Sequence, residues 1–315
     1  MMNTRLKMRI AGPAGLVFVL VLTLAGCSGI RHGLYDVAMG HELKKAGLSE
    51  KMIMVGEMPI SLLEGGGADK PTIVLIHGFA ANKENWVRFA RYLTDACHVV
   101  AIDLPGHGKS VKDNGLSYRI DAQVQYVHEI LLYLGLDQFH LAGNSMGGAI
   151  ACVYAAAYPD RVQSLLLLAP GGVRQYESQL DRLLAAGKNP MIIEKPDDFY
   201  ALMDFAMEKK PYIPWPIAGV LAEKAVANKA VNEKIFADLR AGHPFVFTEE
   251  LEKIRARTLI VWGAQDRLIS AENASVFEQL IPGSRKIILD DVGHAPMFEE
   301  PERTALLYRE FMEVF

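Results

Sequence analysis

Short apolar runs alternate with amphipathic segments along most of the chain, and this alternation constrains the fold more than any other feature. The runs are Thr72 to Ile76, His98 to Ile102, Phe139 to Ala142, Val162 to Leu168, Thr258 to Trp262 and Lys286 to Leu289. Because they contain no regular polar alternation, they predict strands buried on both faces of a parallel sheet. The amphipathic segments between them predict crossover helices, so we expect βαβ units in an α/β fold.

The stretch from 171 to 250 interrupts this alternation. It contains no strand pattern, and its helical patterns cover Glu177 to Ala186, Asp197 to Glu208 and Ala222 to Leu239. We therefore expect a core made of residues 51–170 and 251–315, with a helical cap at 171–250 inserted into it. A chain of 315 residues with 50% hydrophobic content is large enough to bury such a core.

The first 26 residues have the features of an export signal. Three basic residues precede an uncharged, almost wholly apolar run from Ile10 to Leu24. The tetrapeptide that ends at Cys27 resembles the lipobox of bacterial lipoproteins, in which the Cys carries the lipid and becomes the new N-terminus. Cys27 is therefore the candidate lipid attachment site. An uncleaved signal anchor is the alternative, because a bilayer core needs about 20 apolar residues and the run can be continued to Ile30.

Either tether predicts a chain attached to a membrane, with its catalytic domain outside the cytoplasm on the periplasmic side or at the outer membrane. Residues 27–50 form the expected tether region, and apolar spacing from Arg31 to Leu48 predicts a helix beside the membrane. Lys51 to Val55 and Pro59 to Leu63 then predict an antiparallel hairpin at one edge of the sheet.

The charge and the cysteine content limit the partners and cofactors that we expect for this chain. The 33 Lys and Arg face 37 Asp and Glu, and loss of residues 1–26 would change the net charge from −4 to −7 by removing three positive residues. Binding to nucleic acid relies on clustered Lys and Arg, so we expect no nucleic-acid partner. The sequence has no CxxC or HExxH spacing, so we expect neither a metal site nor a cofactor. Cys97 and Cys152 lie in apolar segments and are predicted to be buried free thiols.

A strand pattern, a G-x-S-x-G sequence and a helical pattern follow one another between residues 139 and 158. Gly143-Asn144-Ser145-Met146-Gly147 occupies the turn. A serine at the tip of such a sharp turn has a strained backbone, so the residues two before and two after it must be nearly free of side chain. The pattern therefore predicts a nucleophile elbow with Ser145 as the nucleophile. A Gly-rich packing turn is the alternative.

A serine nucleophile needs a base, and the sequence offers two candidates. His294 follows the last predicted strand and is the only histidine after Phe245. His243 follows no strand. Because catalytic groups of α/β sheets lie beyond strand ends, we expect His294 to be the base.

The base in turn needs an orienting carboxylate. Asp266 lies just beyond the predicted strand that ends at Trp262, which gives the chain order Ser, Asp, His. Asp290 and Asp291 are nearer to His294 in sequence and remain the alternatives. We expect Asp266 to orient the base and the other two to brace its loop.

An oxyanion hole requires two backbone N–H donors. Met146 supplies one by its position directly after the nucleophile, at the start of a helix. Phe79, in the loop after the first parallel strand, supplies the second. The side chain of His77 in the same loop is expected to make local hydrogen bonds rather than to contact substrate.

These motifs together resemble the α/β-hydrolase family. The loop from Asp103 to Ser110 matches the family's D-x-P-G-x-G-x-S sequence, which has a structural role there, and the resemblance extends from 51 to 315. It implies the α/β-hydrolase fold, a mostly parallel sheet with an inserted helical cap. Met146 differs from the Trp of proline iminopeptidases, and Ser145 differs from the Asp nucleophile of haloalkane dehalogenases and epoxide hydrolases.

Sequence segments of the cap narrow the resemblance to membrane-bound bacterial lipases and phospholipases. These segments are Asn189 to Met191, Asp197 to Tyr200, Asp204-Phe205 and Pro211 to Pro214, and they are similar to the lipase 3 type. The resemblance implies a membrane-tethered serine ester hydrolase, a carboxylesterase, lipase or phospholipase A, that acts on acyl esters or phospholipids. The sequence is compatible with a homo-oligomer.

Two alternatives remain at this point. Carbon–carbon bond hydrolases of the meta-cleavage-product type resemble the chain through the same Gly-Asn-Ser-Met-Gly-Gly elbow, although their usual location is the cytoplasm. A non-catalytic, lipid-binding homologue would keep the fold without the chemistry. The export signal argues against the first alternative, and retention of a serine, a histidine and an aspartate in the required order argues against the second.

Overall fold

The structure is a computed structural model and describes residues 28–241 and 248–313. The predicted signal segment, the candidate lipid attachment site Cys27 and the histidine His243 lie outside the described residues. Across the part of the chain that is described, no helix is both long enough and apolar enough to span a bilayer.

The first described element is helix α1 (Ser28–Lys45). It was expected to continue to Leu48, and this expectation is wrong, because Leu48 is already the first residue of a strand. Gly47 separates the two elements with φ of 64°, a left-handed conformation that glycine adopts without steric cost and that ends helices.

An eight-stranded sheet lies at the centre of the described chain. Its strands are β1 (Leu48–Val55), β2 (Met58–Gly65), β3 (Thr72–Ile76), β4 (His98–Ile102), β5 (Phe139–Asn144), β6 (Val162–Leu168), β7 (Arg257–Gly263) and β8 (Arg285–Leu289). They are arranged in the order β1-β2-β4-β3-β5-β6-β7-β8. The β1–β2 and β2–β4 pairs are antiparallel, and the remaining pairs are parallel. The predicted mostly parallel sheet and its edge hairpin are confirmed.

All six apolar runs form strands, but they are not equally buried. Every residue of β4 is buried, whereas β8 is largely accessible and Ile288 is 37% exposed. The prediction of burial on both faces is therefore wrong for β8. Its position explains the difference, because β8 pairs only with β7 and forms an edge of the sheet.

Helices surround the sheet. After α1 they are α2 (Val87–Ala90), α3 (Ile120–Tyr133), α4 (Met146–Ala157), α5 (Gln179–Ala185), α6 (Pro196–Ala206), α7 (Trp215–Ala227), α8 (Lys229–Arg240), α9 (Thr248–Leu251), α10 (Asn273–Leu280), α11 (Pro296–Glu299) and α12 (Pro301–Met312). A 3₁₀ turn, Lys83–Trp86, precedes α2.

Each face of the sheet has its own apolar core. Val74 and Ile76 of β3 belong to a cluster that includes residues of α3 and α4. Ile73 and Leu75 belong to a second cluster that includes residues of α2 and α12. This division follows from the alternation of side chains along a strand.

Between β6 and β7, the described residues form helices α5 to α9 and no strand. The pattern from Ala222 to Leu239, expected to be one helical piece, is two helices, and that expectation is wrong. Asn228 separates them with φ of −89° and ψ of 4°, and its side-chain oxygen accepts a hydrogen bond of 2.9 Å from Lys112 Nζ. Asn has a lower helix propensity than the Ala and Lys residues on either side of it.

The D-x-P-G-x-G-x-S loop joins two strand ends. Asp103 accepts hydrogen bonds from the backbone and the ammonium of Lys83 at 2.8 and 2.6 Å, and from Lys109 N at 2.9 Å. Burial by itself would lower the pKa of Lys83, but its contacts with the Asp103 and Glu50 carboxylates together raise it. These hydrogen bonds tie the loop after β4 to the loop after β3, which carries Phe79.

Candidate active site

Ser145 lies at a strained turn between β5 and α4. Its φ of 56° and ψ of −119° are unusual for a residue with a side chain. A Cβ atom on Gly143 would lie 2.2 Å from Gly147 O, and one on Gly147 would lie 2.2 Å from Ile76 O. Both positions therefore require glycine, which is the physical basis of the G-x-S-x-G spacing.

Backbone hydrogen bonds hold this turn on both sides. Ser145 N donates to Leu168 O at 3.0 Å, and Ser145 O accepts from Gly171 N at 2.9 Å. Because α4 begins at Met146, the N–H groups of its first turn have no partners within the helix. The serine is thus fixed at the positive end of a helix.

His294 and Asp266 form a close pair. Their Nδ1 and Oδ2 atoms are 2.7 Å apart, His294 is 7% exposed and the Asp266 side chain is inaccessible. A carboxylate can only accept, so Nδ1 carries the proton and Nε2 of neutral His294 is left as an acceptor. This is the tautomer that a general base for a serine hydroxyl requires.

Asp266 is held by three further donors. Its Oδ1 accepts from Leu268 N at 2.8 Å and Ile269 N at 3.0 Å, and its Oδ2 also accepts from Trp262 Nε1 at 3.0 Å. Four N–H groups therefore converge on one carboxylate. Such an arrangement fixes the orientation of the acid and satisfies its buried charge.

The alternative acids have different surroundings. Asp290 and Asp291 are both exposed, and the Asp291 carboxylate forms an ion pair with Lys209. The hydrogen bond from Lys209 lowers the pKa of Asp291. Neither carboxylate contacts the His294 ring among the described hydrogen bonds.

The candidate oxyanion donors lie beside Ser145. Phe79 and Met146 both line the pocket that contains Ser145 and His294. Within the described residues, the N–H of Phe79 donates to no backbone carbonyl, and Met146 is the first residue of α4. Both N–H groups are therefore free to bind an anionic oxygen.

The side chain of His77 is occupied by the loop itself. Its Nδ1 donates to Gly78 O at 2.8 Å, and its Nε2 accepts from Leu104 N at 3.1 Å. Burial lowers the pKa of His77, and the Asp103 charge only partly opposes this. The imidazole of His77 is thus uncharged, and it helps to hold the loop that carries Phe79.

The pocket above Ser145 is mainly apolar and has a volume of about 160 Å³. Its lining from the stretch between β6 and β7 includes Val173, Leu180, Leu184, Met191, Phe236 and Leu239. Leu268 and Ile269 extend the apolar wall beside the His294–Asp266 pair. Within 28–241 and 248–313, no three His, Cys, Asp or Glu side chains are grouped so as to hold a metal ion.

Two residues with clear roles in this geometry were missed in the sequence. Asn144 Nδ2 donates to Leu168 O at 3.0 Å and to His294 O at 3.1 Å, so it links the elbow to the histidine loop. Glu299 is buried and accepts hydrogen bonds from the backbone around His294. A carboxylate just after the apolar stretch 295–298 was the available signal for Glu299.

Comparison with known proteins places this site in a family. A family model described as alpha/beta hydrolase fold matches residues 71–301. The chain belongs to the alpha/beta hydrolase family. Lipase 1 of Psychrobacter immobilis is 34% identical over 307 residues, which are 93% of this chain and 94% of that lipase. Human monoacylglycerol lipase ABHD6 is 30% identical over 259 residues, 79% of this chain and 77% of the human protein.

Solved structures support the same family membership. The crystal structure of a membrane phospholipase A is 40% identical, covers 95% of this chain and 97% of its own, and has a TM-score of 0.89. A 2-hydroxy-6-oxo-6-phenylhexa-2,4-dienoate hydrolase from Rhodococcus sp. is 23% identical, covers 84% of this chain and 99% of its own, and has a TM-score of 0.75, which shows a shared fold and no more. This alpha/beta hydrolase is therefore a lipase-type enzyme that acts on ester bonds.

Proposed function

We propose that this alpha/beta hydrolase cleaves acyl esters with a Ser145-His294-Asp266 triad. The observation that carries the proposal is the 2.7 Å contact of His294 Nδ1 with Asp266, in a pocket that also contains Ser145 at the start of α4. In the first step His294 Nε2 takes the Ser145 proton while Oγ attacks the ester carbonyl. The proton then passes to the leaving alcohol, and water repeats the sequence on the acyl-enzyme.

The N–H groups of Phe79 and Met146 would bind the oxyanion of both tetrahedral intermediates. Two observations support this assignment: both residues line the pocket, and Met146 starts a helix whose first N–H groups have no helical partners. A removed oxyanion donor typically costs about a hundredfold to a thousandfold in turnover. No cofactor is needed for this chemistry.

The substrates we propose are lipid acyl esters, including phospholipids. The apolar lining from the stretch at 171–250 fits an acyl chain, and we propose that this stretch acts as a cap over a core formed by 51–170 and 251–315. The names of the relatives support the same substrate class, since they include lipases, a monoacylglycerol lipase and a phospholipase A.

We further propose a membrane tether at the N-terminus, with the catalytic domain outside the cytoplasm. The support is the basic and apolar segment ahead of Cys27 in the sequence. A diacylated Cys27 would anchor firmly, because each buried methylene contributes about 0.8 kcal/mol.

Hydrolysis of p-nitrophenyl esters from short to long acyl chains, run beside phospholipids, tests the activity. Ser145→Ala should reduce turnover about a millionfold while the protein stays folded. Ser49→Ala, on the exposed face of β1, serves as the matched control and should keep full activity. Retention of more than a few per cent of activity by folded Ser145→Ala would contradict the nucleophile assignment.

A second experiment tests the tether. Under the lipoprotein proposal, Cys27→Ser should remain an unprocessed precursor that takes up no labelled fatty acid, while the wild type loses about 26 residues. Mass spectrometry of the detergent-extracted protein measures both. An intact N-terminus with an unmodified Cys27 would overturn lipid attachment and leave the hydrolase proposal untouched.

A further inference from the structure

Glu299, the last residue of α11, is buried and has an unusual set of partners. Its carboxylate accepts hydrogen bonds from four backbone N–H groups and from no side chain among the described residues. Two of these donors, Gly293 and Ala295, lie directly on either side of His294, at 2.9 and 3.1 Å. Because the carboxylate is buried, these bonds are what stabilises its charge.

The other two donors come from the segment just after α6. Oε2 of Glu299 accepts from Glu208 N at 2.8 Å and from Lys209 N at 2.9 Å. One side chain thus joins the histidine loop to a segment that lies more than 80 residues earlier in the sequence.

The two segments also touch directly. His294 N donates to Ala206 O at 2.8 Å. A Cβ atom on Gly293 would lie 2.5 Å from that same Ala206 oxygen, so this approach needs a glycine. The backbone around the candidate base therefore packs against the C-terminal end of α6. Glu299 joins the same two segments through its hydrogen bonds.

We propose that Glu299 is a positioning residue for ester hydrolysis, which fixes the peptide units around His294 against the end of α6 so that the imidazole keeps its place between Asp266 and Ser145. The inference rests on the proposed role of His294 as the base. A displacement of about 1 Å in a reacting group can cost about a hundredfold in rate, so loss of this support should be visible in turnover.

The chemistry of the carboxylate makes the inference specific. A carboxylate offers acceptors only, and both of its oxygens are used here. Glutamine has nearly the same shape but turns an NH₂ group towards at least one of the backbone donors. Glu299→Gln should therefore disturb the loop without creating a cavity.

The next residue provides a matched control. Glu300 has the same side chain, but its carboxylate pairs with the Lys209 ammonium and is more accessible. Glu300→Gln removes the same charge from the same turn of chain without touching the N–H groups around His294.

The experiment measures kcat and KM for a short-chain p-nitrophenyl ester with Glu299→Gln, Glu299→Asp and Glu300→Gln. We expect kcat to fall about a hundredfold in Glu299→Gln with KM changed less than threefold, and to stay within twofold of the wild type in Glu300→Gln. Glu299→Asp keeps two acceptor oxygens and should recover part of the loss. The far-downfield proton resonance of His294 Nδ1–H should persist in Glu300→Gln and be lost or shifted in Glu299→Gln.

Several results would overturn the inference. One is a Glu299→Gln protein with lowered thermal stability but wild-type kcat and an unchanged downfield resonance, because Glu299 would then only brace the fold. If Glu299→Gln does not fold, Glu299→Asp decides, because its carboxylate is one methylene shorter and cannot keep all four donors in place. Lowered thermal stability of Glu299→Asp with wild-type kcat and an unchanged downfield resonance would have the same meaning. Ester hydrolysis that survives Ser145→Ala would instead reject the proposed triad, so the two failures can be told apart.

Discussion

Replacement of Asp266 by asparagine tests the site more sharply than truncation of the Asp266 side chain, because the outcome follows from the hydrogen bonds around one carboxylate. Four N–H groups, from Trp262, Leu268, Ile269 and His294, point at its two oxygens. An asparagine must turn its NH₂ group towards one pair of these donors and its oxygen towards the other.

The two orientations have unequal costs. With NH₂ towards Leu268 and Ile269, two backbone N–H groups face another donor, and a backbone N–H cannot become an acceptor. With NH₂ towards His294 and Trp262, the imidazole can move its proton to Nε2, and the indole N–H keeps its 3.3 Å contact with Ile269 O. The second orientation is therefore favoured, and it leaves Nε2 of His294 protonated.

A protonated Nε2 cannot accept the proton of Ser145. The wrong tautomer lowers turnover by about 10⁴ in a serine protease triad, equivalent to about 5.4 kcal/mol of transition-state stabilisation. We expect a loss of this size for Asp266→Asn. The cost in folding stability should be smaller, about 1–3 kcal/mol, because the shape is kept and one charge-assisted set of hydrogen bonds is weakened.

The assay compares kcat of Asp266→Asn and Asp291→Asn on a short-chain p-nitrophenyl ester, with thermal unfolding of both proteins as a check on folding. Asp291 is exposed and pairs with Lys209, so its variant should lose less than about threefold, in line with the small value of a surface ion pair. Activity of Asp266→Asn within tenfold of the wild type, or a larger loss in Asp291→Asn, would refute the reasoning.

Three further predictions follow from the packing. Gly147→Ala should abolish activity and lower the melting temperature, since its Cβ would lie 2.2 Å from Ile76 O, and wild-type values in both measurements would contradict this. Burial holds the pKa of His107 well below 6.5, so the unfolded state binds the proton first and stability should fall as pH drops below about 6.5. His107 should contribute up to about 1.4 kcal/mol per pH unit to that slope, and urea unfolding of His107→Asn should show a slope reduced by this contribution. Cys97 and Cys152 are buried and unpaired, as the sequence predicted, and burial raises the pKa of Cys97 to about 11. Peptide mapping should therefore find neither of these two thiols labelled by a thiol reagent in native protein at pH 8, and both labelled after unfolding.

The sequence predicted the sheet well because its signals were local. The six apolar runs, the edge hairpin and the elbow each depend on spacings within a few residues, and all of them occur in the structure. The errors have local causes that periodicity does not record. Gly47 ends α1 early, Asn228 divides a helical pattern in two, and Ile288 is exposed because β8 is an edge strand.

The parts of the site that the sequence did not reveal depend on contacts between distant residues. Asn144 reaches His294 O across 150 positions, and Glu299 reaches Glu208 N across 91. No spacing in one sequence predicts such contacts. The strand-end rule did predict which aspartate would meet His294, because Asp266 follows β7 and the carboxyl ends of parallel strands share one edge of the sheet.

The central claim is that Ser145 is the nucleophile, and covalent labelling tests it most directly. A fluorophosphonate carrying an alkyl chain reacts with a serine only where a base and an oxyanion hole activate it. We predict one adduct per chain, on the peptide that contains Ser145, with esterase activity lost in proportion to labelling and no adduct on Ser145→Ala. Labelling of a different residue, or full labelling with activity retained, would contradict the account.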